Sequence, residues 1–316
     1  MVIFWTIFES VGVLLGLGAL GFYIIGRRIM PGNILGLLSP LALDIALPCL
    51  IFISIIKNFT LDAFPRWWTI PLWWIFFSIL ALGLSVAGGM FISQKETRRE
   101  FAISLFYQNG IFFPLAIITG LFGSDSAYLV MLFLFISFHP ALFFSTYRFF
   151  FSNRTGEKIN WSRVIHPALI MTIIALIIRL MDGQRLIPSF VITQFSLIGA
   201  MALPLVMIIL GGNIFMDFKE KGQIQSLEIV KFVIMKNFIF PLVFLGILLM
   251  IRPTYPIAMI IFLQSTVPPI TAIPIVTQRQ GGDFTLTNQF IVASYLSLLI
   301  SIPIMFSLFA VYFPPP

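Results

Sequence analysis

Residues 263–283 read LQSTVPPITAIPIVTQRQGGD, and the reading of this stretch decides the fold. It is apolar enough to enter a bilayer, yet Pro268 and Pro269 stand side by side within it. A proline removes the backbone hydrogen bond to the carbonyl four residues earlier. An unbroken helix here leaves the carbonyls of Gln264 and Ser265 unpaired at a depth where lipid offers no donor. Irregular backbone at that depth persists only when it is buried in protein or lines a polar cavity. Residues 107–114, YQNGIFFP, form a second interruption in the first half of the chain, where Pro114 frees the carbonyl of Gly110. Two interrupted spans at corresponding places in two halves point to the binding site of a transporter.

The composition agrees with a bilayer setting. The 316 residues are 59% hydrophobic and 10% charged, with a mean hydropathy of +1.04. A soluble chain carries about a quarter charged residues. The formal charge of +7 comes from 19 Lys and Arg against 12 Asp and Glu. These bases fall mostly in short polar connections, so they report orientation and no nucleic-acid partner is expected. Cys49, the single cysteine, lies in an apolar run and implies neither a disulfide framework nor a thiolate metal site. The run at 2–25 has no Lys or Arg before Arg27 and is too long for a secretory h-region, so it reads as the first span.

Ten apolar segments of spanning length can be marked: 2–25, 34–56, 67–92, 101–121, 126–151, 164–180, 189–212, 229–251, 256–277 and 286–313. The expected fold class is therefore an all-α membrane protein with ten transmembrane helices, multi-pass in the plasma or inner cell membrane. Alternating the sides collects Arg27, Arg28, Lys95, Arg98, Arg99, Arg148, Arg154, Lys158, Arg163, Lys219, Lys221, Lys231, Lys236 and Arg279 on one face. The other face has Lys57, Arg66, Arg179, Arg185 and Arg252. The basic face is cytoplasmic by the positive-inside rule, which puts both termini outside the cytoplasm.

An offset of about 156 residues superposes the halves. Ala46-Leu47-Pro48 falls on Ala202-Leu203-Pro204, and Pro114 falls on Ile270, beside Pro269. Five spans per half is an odd number, so the second half enters the membrane from the opposite side, as an inverted repeat. The expected division is a first repeat over 1–151, a cytoplasmic linker at 152–163 and a second repeat over 164–316.

Spans 4 and 9 then run in opposite directions. If both break at mid-depth, their second halves aim two helix N-termini at one point. Each N-terminus carries about half an elementary positive charge and unpaired N–H groups, which suits a carboxylate. The candidate substrate-binding residues are Gln108, Asn109, Gly110, Pro114, Ser265, Thr266, Pro268 and Pro269. Prolines also kink spans without binding anything; two breaks in matched positions of inverted halves favour a site. Asp44, in the middle of span 2 and four residues before Pro48, is the candidate for coupling to a proton or Na+. Its alternative is a protonated carboxyl bonding a neighbouring helix. Glu9 reads as interfacial, and His139 and His166 as packing or interface residues. No catalytic set, metal site or cofactor is expected.

The ordered set of motifs resembles the auxin efflux carrier family, which includes the plant PIN proteins and bacterial and archaeal carriers of organic anions. The residues that carry the resemblance are Gln264 through Val267-Pro268-Pro269 to Gln280-Gly281-Gly282-Asp283, Ala202-Leu203-Pro204-Leu205 with Leu210-Gly211-Gly212, residues 43–52 around Pro48, and His166-Pro167. One departure stands out. The family's Asn seven residues before the span 4 proline is Tyr107 here, the nearest Asn is Asn109, and a family glycine is replaced by Phe112. The resemblance implies a scaffold of spans 1, 2, 6 and 7, often dimeric, and a moving transport domain of spans 3–5 and 8–10. The function it implies is a secondary active or facilitative carrier of small carboxylates by elevator-like alternating access. A cation-coupled antiporter or bile-acid-type sodium symporter is the alternative, disfavoured because residues 101–121 and 256–277 contain no acid. An intramembrane enzyme is more remote still, because no H-E-x-x-H or D-D-x-x-D pattern is present.

Overall fold

The computed structural model describes residues 2–92, 97–151, 165–219 and 224–315. The linker expected at 152–163, with Arg154, Lys158 and Arg163, lies outside the described residues, as do Lys95 and Lys221. The described chain is helical. We label the helices α1 (Val2–Gly26), α2 (Ile34–Asn58), α3 (Trp67–Met90), α4 (Arg98–Phe106), α5 (Phe112–Phe122) and α6 (Ala127–Phe150). The second half holds α7 (Pro167–Leu180), α8 (Ser189–Met216), α9 (Ser226–Ile251), α10 (Tyr255–Thr266), α11 (Ile273–Arg279) and α12 (Phe284–Tyr312).

Seven of these, α1, α2, α3, α6, α8, α9 and α12, are long and apolar enough to cross a membrane. The segment read as span 6 is a helix of only 14 residues, α7, about 21 Å at 1.5 Å per residue. The segments read as spans 4 and 9 are each two short helices with non-helical backbone between them, α4 with α5 and α10 with α11. The first of these begins three residues ahead of its apolar run, so it includes Glu100, which is buried. The Glu100 Oε1 accepts from the Asp283 N–H at 3.1 Å and so joins the start of α4 to the start of α12.

Prolines explain the irregular turns inside the long helices. Leu41–Ala46 of α2 widens to a π-helical turn just before Pro48, and Met235–Ile239 of α9 does the same just before Pro241. A π-turn shifts the hydrogen bonds to five residues, which relieves the donor that proline lacks. In α8, the helix is interrupted at Met201, just before Ala202-Leu203-Pro204.

Two packing groups follow. α1 lies along α8 and also packs on α5 and α12 of the other group, and α2 packs on α7 and α8. In the other group α3 packs on α4 and α6, α9 on α10 and α12, and α11 on α12. The α1–α8 seam is tight because glycines remove side chains from it. A Cβ on Gly211 would overlap the Gly18 carbonyl, and one on Gly21 would overlap that of Ile208. Phenylalanine fills the second group, with Phe77 on Phe244 and Phe262 stacked on Phe309.

One residue departs sharply from its sequence reading. Lys236, which the alternation of sides places among the cytoplasmic bases, is fully buried in the π-turn of α9. A lysine in the first turns of an apolar run reads as interfacial by sequence, and only the tertiary packing encloses it, by setting the π-turn against α10 and α12 and bringing the Leu105 carbonyl of α4 to the amine. Thirteen bases remain on that face against five, so the asymmetry persists.

Candidate functional site

The two breaks meet. α4 ends at Phe106, and Tyr107 turns into extended backbone. Gln108 then pairs with Pro269 in an isolated antiparallel bridge. The Asn109 N–H donates to the Pro268 carbonyl at 2.7 Å, and the Ile270 N–H donates to the Tyr107 carbonyl at 3.0 Å. Backbone that cannot be helical thus pairs with the other break, which satisfies polar groups that lipid cannot.

The carbonyl that Pro114 deprives of its helical partner is also paired. Gly110 O accepts from Gln264 Nε2 at 2.7 Å, while the Gly110 N–H donates to the Gln108 carbonyl at 2.9 Å. A Cβ at position 110 would collide with Gln264 Oε1, so this close approach needs glycine. Pro114 sits in the first turn of α5 rather than in the break. The first helical hydrogen bond runs from Leu115 to Ile111, so the N–H groups of Phe112 and Phe113 have no partner within α5.

A cavity of about 320 Å³ opens beside this crossing. One wall is Gln108, Asn109, Gly110 and Phe112 with Ile270, Thr271 and Ala272. The lining also includes Leu43 and Leu47 of α2, Val206 and Asn213 of α8, and His139 and His166. No Lys, Arg, Asp or Glu lines it among the described residues.

The expected site residues therefore divide. Gln108, Asn109 and Gly110 line the cavity. Pro268 and Pro269 supply the backbone of the bridge. Ser265 and Thr266 are buried at the end of α10, and their hydroxyls donate back to Phe262 O at 2.6 Å and Leu263 O at 2.9 Å. The Asn109 amide donates to the Tyr295 hydroxyl at 2.8 Å, which ties the crossing to α12. Tyr107, at the position where the related family carries Asn, is fully buried with its hydroxyl 2.7 Å from Thr146 Oγ1. The picture of two equal helix N-termini also needs revision. α5 has eleven residues but α11 only seven, so the dipole on the second side is built from fewer peptide units.

Asp44 lies in the π-turn of α2 with its side chain half-exposed, and His166 Nε2 stands 3.5 Å from its Oδ1. His166 Nδ1 accepts from the Ala168 N–H at 3.2 Å, capping α7. A ring nitrogen that accepts carries no proton, so the neutral imidazole holds its proton on Nε2, facing the carboxylate.

Sequence reasoning missed His139, His166, Thr271 and Asn213 as neighbours of the crossing. His139 is buried against Trp74, and its Nε2 has no hydrogen-bond partner; neither has Gln108 Oε1. The His-Pro pairs at 139 and 166 were visible, but nothing in their spacing indicates that both line one cavity.

No curated protein matches the chain. A family profile described as membrane transport protein matches residues 6–306, nearly the whole chain. With its long apolar helices and its meeting pair of interrupted helices, the chain belongs to the membrane transport protein family, that of the auxin efflux carriers.

Proposed function

We propose that the chain is a carrier of small organic anions that works by alternating access, with the carboxylate held at the crossing of residues 107–111 and 267–272. The observation that carries this reading is the 320 Å³ cavity, bounded by both breaks, by neutral hydrogen-bonding groups and by the start of α5. A site without a fixed cation attracts an anion through unpaired N–H groups and a helix dipole. Gln108, Asn109 and Thr271 orient the carboxylate, and the apolar wall from α2 and α8 receives the rest of the molecule.

The two packing groups support an elevator-like division. α1, α2, α7 and α8 make the scaffold, and α3–α6 with α9–α12 the moving part. The cavity lies between them, so sliding one group past the other changes the side from which it opens. Ten spans in two inverted repeats fit the same picture. The π-turn before Pro48 in α2 and the interruption before Pro204 in α8 stand at equivalent places under the 156-residue offset.

Binding separates this reading from others. The purified protein is titrated with acetate, malonate, succinate, malate and indole-3-acetate, and with the amide of each. One partly buried helix terminus contributes up to about 2 kcal/mol toward an anion, so an acid is expected to bind up to about thirtyfold more tightly than its amide. Gln108→Ala is expected to weaken the acid by the loss of a hydrogen bond to a charged group, about 1.5–3 kcal/mol. Equal affinity for acid and amide across the panel would sink the proposal.

A further inference from the structure

Lys236 is a buried charged group that the crossing does not use. It is 0% exposed. Its Nζ has one hydrogen-bond acceptor, the Leu105 carbonyl at 3.4 Å, and lies 4.6 Å from the centroid of the Phe240 ring. No carboxylate stands within ion-pair distance of it among the described residues. A buried ammonium with one long hydrogen bond and a ring face is poorly compensated, and the lowest-cost remedy is a negative charge nearby or the loss of the proton.

Among the described residues, the neighbouring elements supply no such charge. α3 carries no titratable residue. α4 has Arg98, Arg99 and Glu100 at its opposite end, with Glu100 held by the Asp283 N–H. α10 has Tyr255, and α12 has Asp283 at its N-cap, Tyr295 bonded to Asn109, and Tyr312 at its far end. Within α9, Glu228 pairs with Lys231 at 3.1 Å. The adjacent Asn237 is engaged with Ser294, Ser297 and Ser301.

Lys236 does not line the cavity at the crossing, but the segment its amine touches leads into it. Leu105, whose carbonyl meets Lys236, is three residues before Gln108 on the same continuous segment. We propose that Lys236 is the proton-binding site of this carrier. Its amine takes up one proton as a carboxylate enters the crossing and returns it when the carboxylate leaves. R–NH2 becomes R–NH3+, no other bond changes, and a monocarboxylate and its proton cross with no net charge.

This inference rests on the anion-carrier reading, and one experiment separates their failures. The tightest acid of the panel above is titrated calorimetrically into the full chain near pH 7 in buffers of differing ionisation enthalpy. The result is the number of protons taken up per acid bound. The parent is expected to take up close to one where the empty site is unprotonated, and its affinity is expected to fall by up to tenfold per pH unit there. Lys236→Met and Lys236→Arg are both expected to bind with no proton uptake and a flat pH profile, the arginine because it keeps its charge throughout. A lysine that only packs would leave the proton count unchanged in both variants, and that overturns the inference. So does proton uptake that survives in Lys236→Met and vanishes in Asp44→Asn. Binding by the parent without proton uptake at any pH overturns this inference and leaves the carrier reading standing. Absence of binding by every acid overturns both.

Discussion

Gly110 and Gln264 lock the crossing, and each is needed for the other. The Gln264 amide occupies the space a Cβ would take at 110 and donates to the carbonyl that Pro114 leaves without a helical partner. Gly110→Ala pushes that amide away, and Gln264→Leu removes it. Either change leaves a buried carbonyl unpaired, which costs about 1–3 kcal/mol. Because both break the same bond, the double variant is expected to lose less than the sum of the singles. Denaturation of the four proteins in detergent checks this, and additive losses would contradict the lock. Polar residues beside the break have different fates for equally local reasons. The Ser265 and Thr266 hydroxyls return to carbonyls three residues back, whereas Gln264 is long enough to reach the other break. The Asp44 carboxyl, in the middle of α2, finds its neighbour in the His166 imidazole, 3.5 Å away.

At the scale of elements, the seam between α1 and α8 depends on missing side chains. Gly21 and Gly211 face opposing backbone, so Gly21→Ala and Gly211→Ala must force the helices apart. Overpacking of this kind costs about 1–3 kcal/mol. Gly12 and Gly16 lie on the same helix α1 with nothing near the place of their Cβ. Gly12→Ala and Gly16→Ala are expected to be neutral or stabilising by about 0.4–1 kcal/mol, through reduced freedom of the unfolded chain. Melting temperatures of the four variants test this, and equal shifts at all four positions would show that propensity and not packing sets the effect. The π-turns carry a related lesson. Pro48 and Pro241 each disturb a long helix without breaking it, since a turn bonded over five residues absorbs the missing donor. The pairs Pro268-Pro269 and Gly110-Pro114 act where another break is at hand, and there the helix ends.

For the whole molecule, the basic asymmetry predicts orientation. With Lys236 removed from the count, thirteen bases still face five. In a Cys49→Ala background, cysteines placed at Gly156 and at Pro315 are expected to react with an impermeant thiol reagent from opposite sides of the membrane. Reaction of both from one side would overturn the ten-span topology. By itself, the sequence determined that the chain is helical, that it lies in a bilayer, and that it is interrupted near Gln108 and near Pro268. Hydropathy acts over about twenty residues and a proline over four, so these properties are written locally. It also singled out Gln108, Asn109 and Gly110 beside the first break, and these three line the cavity at the crossing. Only the tertiary structure decided that the breaks pair with each other, that Asn109 is tied to Tyr295, 186 positions away, and that Asp44 meets His166. The same holds for Lys236, which has the composition of a loop residue and the burial of a core residue. Its acceptor is 131 positions distant. Whether a side chain meets water, lipid or a remote carbonyl depends on which helices pack together, and no window of sequence contains that information.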